Sequence, residues 1–349
     1  MREVSIGSVK IGGDNPVAVQ SMTNTDTRDI EATCSQILEL ERAGCDIVRF
    51  SVYDGECAMA IPHIKSKTHI PLVADIHFDY KLAVLSAENG IDKLRINPGN
   101  IGAFSNVKTV ADCAKAHNIP IRVGVNSGSV ERDLLEKYGA PTAEALCESA
   151  LRHVKLLEDA HFYDTVISIK ASDVKTTVEA CRRLSALCDY PLHIGVTESG
   201  LGDAGLIKSA IGIGSLLIDG IGATIRVSLT GSPVSEVNAA RSILRALSMD
   251  KEGYYDIVSC PTCGRTTGDL EAVVLRVKNA LSDIKPKRHI KIAVMGCVVN
   301  GPGEAKAADM GIAFAKGGAA VFKDGTIACS GEREDMIMRF IEDCRRLGE

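Results

Sequence analysis

The chain has 349 residues, 45% apolar and 24% charged, enough for a large core and more than one domain. A net charge of −5, 4% aromatics and no tryptophan argue against nucleic-acid binding, which calls for a basic face with stacking residues. No apolar run is long enough to span a membrane, and the first residues open no signal peptide. Twelve cysteines without export signals then imply a reducing, cytoplasmic setting. Seven of them, at positions 34, 45, 57, 113, 147, 181 and 188, fall in helical patterns and read as small buried hydrophobes.

Residues 4–11 read as a short hairpin around Gly7-Ser8, a lid for the bottom of something larger. A regular alternation follows. Apolar strand-like runs fall at 17–22, 46–52, 71–77, 93–97, 120–126, 165–171, 191–197 and 223–229. Helical patterns lie between them, for example at 30–43, 103–117, 143–160 and 174–188, with an extra short helix at 130–138. Eight strands alternating with helices predict the α/β class, as a (β/α)8 TIM barrel. An open doubly wound sheet is the alternative, disfavoured because no G-x-G-x-x-G turn follows the first strand. A helix at 234–247 completes the barrel and 248–255 reads as a linker, which places a barrel domain at 1–250. A smaller α/β domain at 251–349 would hold a helix at 270–281 and a strand at 290–295. Strand candidates at 311–316 and 319–323, a turn at Lys323-Asp-Gly-Thr326 and a closing helix at 333–347 complete it.

Polar residues recur at i and i+2 near the strand ends, so each set shares one face of its strand. The sets are Arg49/Ser51, Asp75/His77, Arg95/Asn97, Arg122/Gly124/Asn126, Ser168/Lys170 and Arg226/Ser228. Helices cover the outside of a barrel, so these faces point inward and toward the C-terminal mouth. The seventh strand breaks the parity, because Glu198 shares a face with Val196 and Ile194 and is expected just past the strand end. Arg49, Arg95, Arg122, Lys170 and Arg226 thus gather against Asp75 and Glu198. Internal salt bridges would neutralise two of these five cations at most, and the rest would be costly without counter-ions. An anionic ligand with more than one phosphate resolves the conflict, since arginine forks match phosphate oxygens. Lys170 alone suggests a Schiff-base aldolase; among four arginines a phosphate contact is its expected role.

Two stretches near the end carry thiols. Cys260-Pro-Thr-Cys263 sits at the start of what reads as a helix. Cys297 follows the strand at 290–295, and a Gly-Pro-Gly turn leads to Glu304 seven residues on. A lone C-x-x-C is weak evidence, but a third cysteine in a glycine-rich loop favours a ligated soft metal centre. Zinc would call for a fourth Cys or a His at ribbon spacing, and the nearest candidates, His289 and Cys329, are poorly placed. Three thiolates plus Glu304 form the economical ligand set, and its oxygen ligand is more easily displaced than a thiolate.

The chain resembles the bacterial two-domain 4-hydroxy-3-methylbut-2-enyl diphosphate synthases of the methylerythritol phosphate route. The resemblance runs in order through Gln20-Ser-Met-Thr-Asn-Thr25, Val73-Ala-Asp-Ile-His77, Leu94-Arg-Ile-Asn-Pro-Gly99 and Arg122-Val-Gly-Val-Asn126. It continues through Val196-Thr-Glu-Ser-Gly200, Ile225-Arg-Val-Ser-Leu229, Ser259-Cys-Pro-Thr-Cys-Gly-Arg265 and the loop at 296–304. It implies 2-C-methyl-D-erythritol 2,4-cyclodiphosphate as substrate, opened reductively with two electrons and two protons and with loss of water. It further implies a [4Fe–4S] cluster held by Cys260, Cys263, Cys297 and Glu304, with Asn300 close by. Glu198 is then the candidate for proton delivery, with Asp75 and His77 as positioning groups, and a flavodoxin or ferredoxin is the electron donor. Arg49, Arg95, Asn97, Arg122, Asn126, Lys170, Arg226 and Ser228 are the expected substrate contacts.

Two other classes compete. One is a non-redox phosphate lyase or aldolase with a structural three-cysteine zinc site. The other is a cluster-bearing regulatory module, against which the charged mouth argues. The topology also predicts a homodimer with shared sites. The helix at 234–247 leads back from the mouth, and the linker of about eight residues spans at most ~28 Å. Each cluster domain is therefore expected to serve its partner's barrel.

Overall fold

The structure, a computed structural model, describes the chain apart from Val298 and Asn300 and the side chains at 301 and 302. It contains two compact units, Met1–Met249 and Asp250–Glu349.

The first unit is a parallel barrel. Its strands are β1 (Ala18–Met22), β2 (Ile47–Ser51), β3 (Leu72–Asp75), β4 (Lys93–Ile96), β5 (Ile121–Asn126), β6 (Thr165–Lys170), β7 (His193–Ile194) and β8 (Thr224–Ile225). They are bonded in the order β6-β5-β4-β3-β2-β1-β8-β7. The ring closes between β6 and β7 through an Ile167–Leu192 bridge, with the Ile167 N–H on the Pro191 carbonyl at 3.0 Å. Val48, Phe50, Ala74, Leu94, Ile96, Ile121, Val123, Ile167 and Ile169 turn outward and are buried beneath the helices. Each such side chain contributes about 1.5–3 kcal/mol relative to exposure, except the smaller alanine, so the outward face fixes the strand register. With register set, every second residue faces the barrel axis. Several helices begin at side-chain caps: the Asp29 carboxylate accepts the Ala32 N–H, and Asp173 accepts that of Thr176.

The strands Val4–Ile6 and Val9–Ile11 form the expected hairpin. Val4, Ile6 and Ile11 pack against Ala18, Ile47, Val73, Val166 and Ala223 at the starts of the barrel strands. This end is plugged with apolar side chains, which leaves the C-terminal mouth for chemistry. The extra helix between β5 and β6 is Arg132–Tyr138, and Ala143–Asp159 follows it.

β7 and β8 are each two residues long, well short of the expected runs at 191–197 and 223–229. The reason is local. A Cβ at Gly195 would lie 2.3 Å from the Arg226 carbonyl oxygen, so the backbones here approach more closely than a regular pleat with side chains permits.

The second unit is a sheet of β9 (Tyr255–Ser259), β10 (Ile290–Met295), β11 (Met310–Ala315), β12 (Gly318–Lys323) and β13 (Thr326–Gly331), in that order. β9, β10 and β11 are parallel, and β12 and β13 are antiparallel additions. The helices Leu270–Ala280 and Arg333–Gly348 cover one face through Val273, Val277, Phe340 and Ile341. Ala305, from the short helix Gly301–Lys306, packs on the other face with Ala293, Met295 and Phe322.

Two expectations are corrected here, and one strand went unread. The presumed linker at 248–255 runs into β9, which continues to Ser259. Cys260-Pro-Thr-Cys263 does not open a helix: the helix starts at Leu270, capped by Asp269, after Gly268 takes φ +71°. β13 carried no recognisable apolar pattern because it is an exposed edge strand.

Candidate active site at the barrel mouth and the thiol strand ends

The inward positions of β2 to β6, with Arg226 just past β8, bring Arg49, Asp75, Arg95, Arg122, Lys170 and Arg226 into one electrostatic cluster in the barrel. Asp75 is its negative centre. Its Oδ1 accepts from Arg95 Nη1 at 2.8 Å, while Arg49 Nε lies 3.7 Å and His77 Nε2 3.5 Å from Oδ2. Burial alone would raise the Asp75 carboxyl, yet the Arg49 charge, the His77 hydrogen bond and the Arg95 charge hold it far below the carboxylate range. Arg49 also reaches the Met22 thioether, at 2.9 and 3.2 Å, and burial pushes its guanidinium down to about 10. A Cβ at Gly124, an inward position of β5, would lie 2.7 Å from Arg95 Nε, so only glycine leaves room for this guanidinium.

A second carboxylate enters from outside the strands. Glu236, in the first turn of the helix Pro233–Ala246, accepts the Leu229 N–H at 3.0 Å, the Ser21 hydroxyl at 3.3 Å and Arg226 Nη2 at 3.4 Å. Three of the five cations therefore have a carboxylate within 4 Å, one more than counting charges in the sequence allowed. Arg122 and Lys170 have none among the described residues. Arg122 is 2% exposed, and its Nε and Nη2 have no hydrogen-bond partner there; the same holds for Nε of Arg95 and Arg226. Burial, followed by the neighbouring arginine charges, pushes both Arg122 and Lys170 well below their ordinary values. Buried donors of one sign without acceptors suit an anion that brings several oxygens.

Lys170 Nζ lies 3.2 Å from His193 Nε2, and His193 Nδ1 lies 2.7 Å from the Thr224 hydroxyl. Asn97 is buried, with its side-chain oxygen accepting the Gly99 N–H at 3.1 Å. Asn126 and Ser228 are half-buried at the ends of their runs. Glu198 and His77 form the exposed rim. Glu198 sits in the turn after β7 at φ +51°, a strained conformation for a residue with a Cβ. Its place beyond the strand end accounts for its broken parity.

Sequence reasoning missed Glu236, His193 and Thr224. The last two follow the same alternation: Thr224 and Arg226, like His193 and Gly195, are two residues apart along the chain. Glu236 belongs to no strand pattern, and only the fold brings it to Ser21.

In the second unit Cys260 directly follows β9 and Cys297 lies two residues past β10, its parallel neighbour, with Ser259 paired to Val294. Cys260 Sγ accepts the Gly296 N–H at 3.2 Å. Thr267 returns to this strand end, giving both its N–H and its hydroxyl to the Gly296 carbonyl at 2.9 and 3.2 Å. Arg333 donates to the Thr267 carbonyl at 2.6 Å and lies 4.2 Å over the Phe314 ring, fixing the loop that carries Cys263. The Cys263 thiol is exposed and pushed down by the Arg265 backbone N–H, then by Thr266. Glu304 is exposed in the first turn of its short helix. Asn300 lies outside the described residues. Among the described residues no three His, Cys, Asp or Glu side chains stand in metal-holding geometry. The donor set nonetheless suits a soft metal centre: thiols at adjacent strand ends, one accepting a backbone N–H. Cys344 is buried in the core and Cys329 packs against it from β13.

The GcpE TIM-barrel domain family model matches residues 1–241, and that of the GcpE protein C-terminal domain matches residues 256–346. A protein of Fusobacterium nucleatum is 56% identical over 326 residues, covering 93% of this chain and 91% of its own. One from Caldanaerobacter subterraneus is 55% identical over 346 residues, covering 99% and 97%. Both bear the name 4-hydroxy-3-methylbut-2-en-1-yl diphosphate synthase (flavodoxin). Among solved structures, dihydropteroate synthase from Stenotrophomonas maltophilia aligns with TM-score 0.50 and 14% identity, over 71% of this chain and 98% of its own. That likeness speaks for the barrel fold alone.

Proposed function

The chain belongs to the GcpE family, and from that premise we propose that it converts 2-C-methyl-D-erythritol 2,4-cyclodiphosphate to (E)-4-hydroxy-3-methylbut-2-enyl diphosphate. It is an oxidoreductase of isoprenoid precursor synthesis, taking up two electrons and two protons and releasing one water. Reduced flavodoxin supplies the electrons, in keeping with the name its relatives carry. The observation that supports this reading most is Arg122, buried with unpartnered donors inside a barrel that apolar side chains plug at one end.

The roles follow from the geometry. Arg122 and Lys170, which lack carboxylate partners among the described residues, take the diphosphate oxygens, and Arg226 and Arg49 contribute from either side. Arg95 is tied to Asp75, so this pair holds the floor of the mouth in place while Arg95 Nε stays available to the ligand. Asn97, Asn126 and Ser228 line the upper mouth as polar contacts for the substrate hydroxyls. Glu198, on the exposed rim, delivers a proton toward the departing hydroxyl, and His77, held by Asp75, positions the substrate beside it. Cys260, Cys263, Cys297 and Glu304 would hold a [4Fe–4S] cluster, which when bound supplies one-electron transfer; Asn300, expected beside it, lies outside the described residues. The barrel unit is thus the substrate domain and Asp250–Glu349 the cluster domain.

The working form is a homodimer with shared sites. The 14-residue helix Pro233–Ala246 carries the chain roughly 20 Å back from the mouth. Bringing a whole domain around the barrel to its own mouth would use nearly all of the ~28 Å that residues 247–254 can span, and this favours a cluster domain supplied to each mouth by the partner chain. No described helix is long and apolar enough to cross a membrane, and we place the reaction in the cytoplasm.

The test is turnover by anaerobically purified protein with reduced flavodoxin and the cyclodiphosphate, with the product identified by mass spectrometry. Brown protein containing acid-labile sulfide and forming the allylic diphosphate is expected. Colourless zinc-loaded protein that forms no such product would overturn the reading in favour of a lyase acting through Lys170.

A further inference from the structure

Lys170 is the mouth cation whose partner is neither a carboxylate nor solvent. It is 7% exposed, and its Nζ meets His193 Nε2 at 3.2 Å. His193 and Thr224 are fully buried on neighbouring strands, paired in register, and His193 Nδ1 meets the Thr224 hydroxyl at 2.7 Å. A Cβ at Gly195 would lie 3.0 Å from Lys170 Nζ, so a glycine on the same strand as His193 keeps the path of the lysine open.

The hydrogen-bond roles are set by chemistry. With Lys170 protonated, as a phosphate contact requires, its ammonium can only donate, so His193 Nε2 accepts and Nδ1 carries the ring proton, which goes to the Thr224 oxygen. Protonating this imidazole would set two cations 3.2 Å apart in a buried site, so it stays neutral. Burial, then Lys170 and Arg122, press His193 the same way.

We propose that His193, backed by Thr224, is a positioning residue for Lys170: the imidazole takes one ammonium N–H and leaves the other two for the oxygens of the diphosphate. This rests on the functional reading above. The charged groups around the Lys170 ammonium are Arg122 from β5, Arg226 from β8, Arg49 from β2, and Glu236 from Pro233–Ala246. The Cys181 thiol adds a titratable neighbour from Val174–Leu187. Three of these five are cations, so His193 supplies an acceptor among neighbours that otherwise drive the proton off. Without it Lys170 gives up its proton at lower pH and swings from its place.

The experiment measures cyclodiphosphate binding to the holoenzyme against pH. His193→Phe is expected to weaken the affinity about tenfold, to move the alkaline limb of the binding profile to lower pH, and to leave the holoenzyme absorption spectrum unchanged. His193→Gln, whose amide oxygen can take the place of Nε2, should restore both affinity and limb. Thr224→Val, which frees the imidazole to turn, should shift the limb the same way but less. A folded His193→Phe with wild-type affinity and pH profile overturns the proposal, as does a Gln variant no better than Phe at equal thermal stability. If the Phe variant does not fold, an unmoved limb in Thr224→Val overturns it. Wild-type protein that fails to bind the cyclodiphosphate sinks the functional reading itself, whereas normal wild-type binding with unaffected variants sinks this inference alone.

Discussion

The barrel mouth and the thiol loops solve opposite problems with the same device, the end of a parallel strand. At the mouth Arg49, Asp75, Arg95, Arg122 and Lys170 stand on the strands themselves, so register aims them, and these long buried side chains reach one another across a narrow axis. In the second unit the functional atoms lie past the strand ends, and loop hydrogen bonds place them: Gly296 to Cys260, Thr267 to Gly296, and Arg333 to Thr267. The mouth is over-supplied with positive charge, and several of its buried donors have no acceptor among the described residues. The loops bring thiols to one end of the sheet and leave metal ligation to draw them together. Substitutions should therefore act on ligand affinity at the mouth and on cofactor retention in the loops.

The largest effect tests the loops. Replacing Cys260, Cys263 or Cys297 with Ser should reduce iron and acid-labile sulfide to background in each case, while Cys329→Ser and Cys344→Ser keep wild-type iron per chain. Cluster loss in Cys329→Ser, with Glu304→Ala fully loaded and active, would show that the fourth ligand is misassigned. Next comes the division of labour between chains. Lys170→Ala and Cys297→Ser should each be inactive alone, and purified mixed dimers should recover a substantial fraction of wild-type turnover. Mixed dimers as inactive as their parents would place both halves of the site in one chain.

A finer distinction lies within the mouth. Arg122→Ala should weaken cyclodiphosphate binding by one to two decades, roughly 1.5–3 kcal/mol, with the cluster spectrum intact. Arg226→Ala should cost less, because Arg226 shares its charge with Glu236 in the free protein whereas Arg122 has no carboxylate partner among the described residues. Calorimetric titration decides the order. Equal affinities in both variants and wild type would make these arginines structural.

The same contrast explains what could be read from the sequence. Alternation along a strand is local, so the barrel, its inward face and Arg49, Arg95, Arg122, Lys170 and Arg226 were legible from spacing. Contacts closed only by folding were not: Glu236 meets Ser21 across 215 residues of chain, and no pattern around either residue announces it. Lys93, His193 and Thr224 obey the legible rule but sit deeper in the barrel than the strand ends where function was sought. In the second unit the thiols were evident by chemistry, yet their setting was misjudged. β9 is a half-buried strand whose Asp256 and Ser259 interrupt its apolar residues. The helix expected at 270–281 is found at Leu270–Ala280, but Cys260-Pro-Thr-Cys263 does not open a helix, as the turn signals at Pro261 and Gly268 indicate.

The smallest effect concerns a residue that both the phosphate reading and the thiol reading leave unused. Lys93 is fully buried at the start of β4, and its Nζ has no hydrogen-bond partner among the described residues. Burial, then the charges of Arg122 and Arg49, push its amine well below the ordinary value, with Asp164 opposing. An unfolded lysine binds its proton near pH 10.4. As pH falls below that value the unfolded chain gains a proton that the folded one resists, so stability is lost on acidification until the depressed folded value is reached. Lys93→Met keeps the unbranched stem and removes the amine. It should stabilise the protein by about 1–3 kcal/mol near neutral pH, a rise of several degrees in Tm, with the gain shrinking from pH 7 to pH 9. Thermal melts of the full-length protein at the two pH values check both the sign and the trend. A destabilised Met variant, or a gain that grows toward pH 9, would mean that Lys93 is held charged by a partner. The excess of positive charge would then extend through the barrel rather than being confined to its mouth.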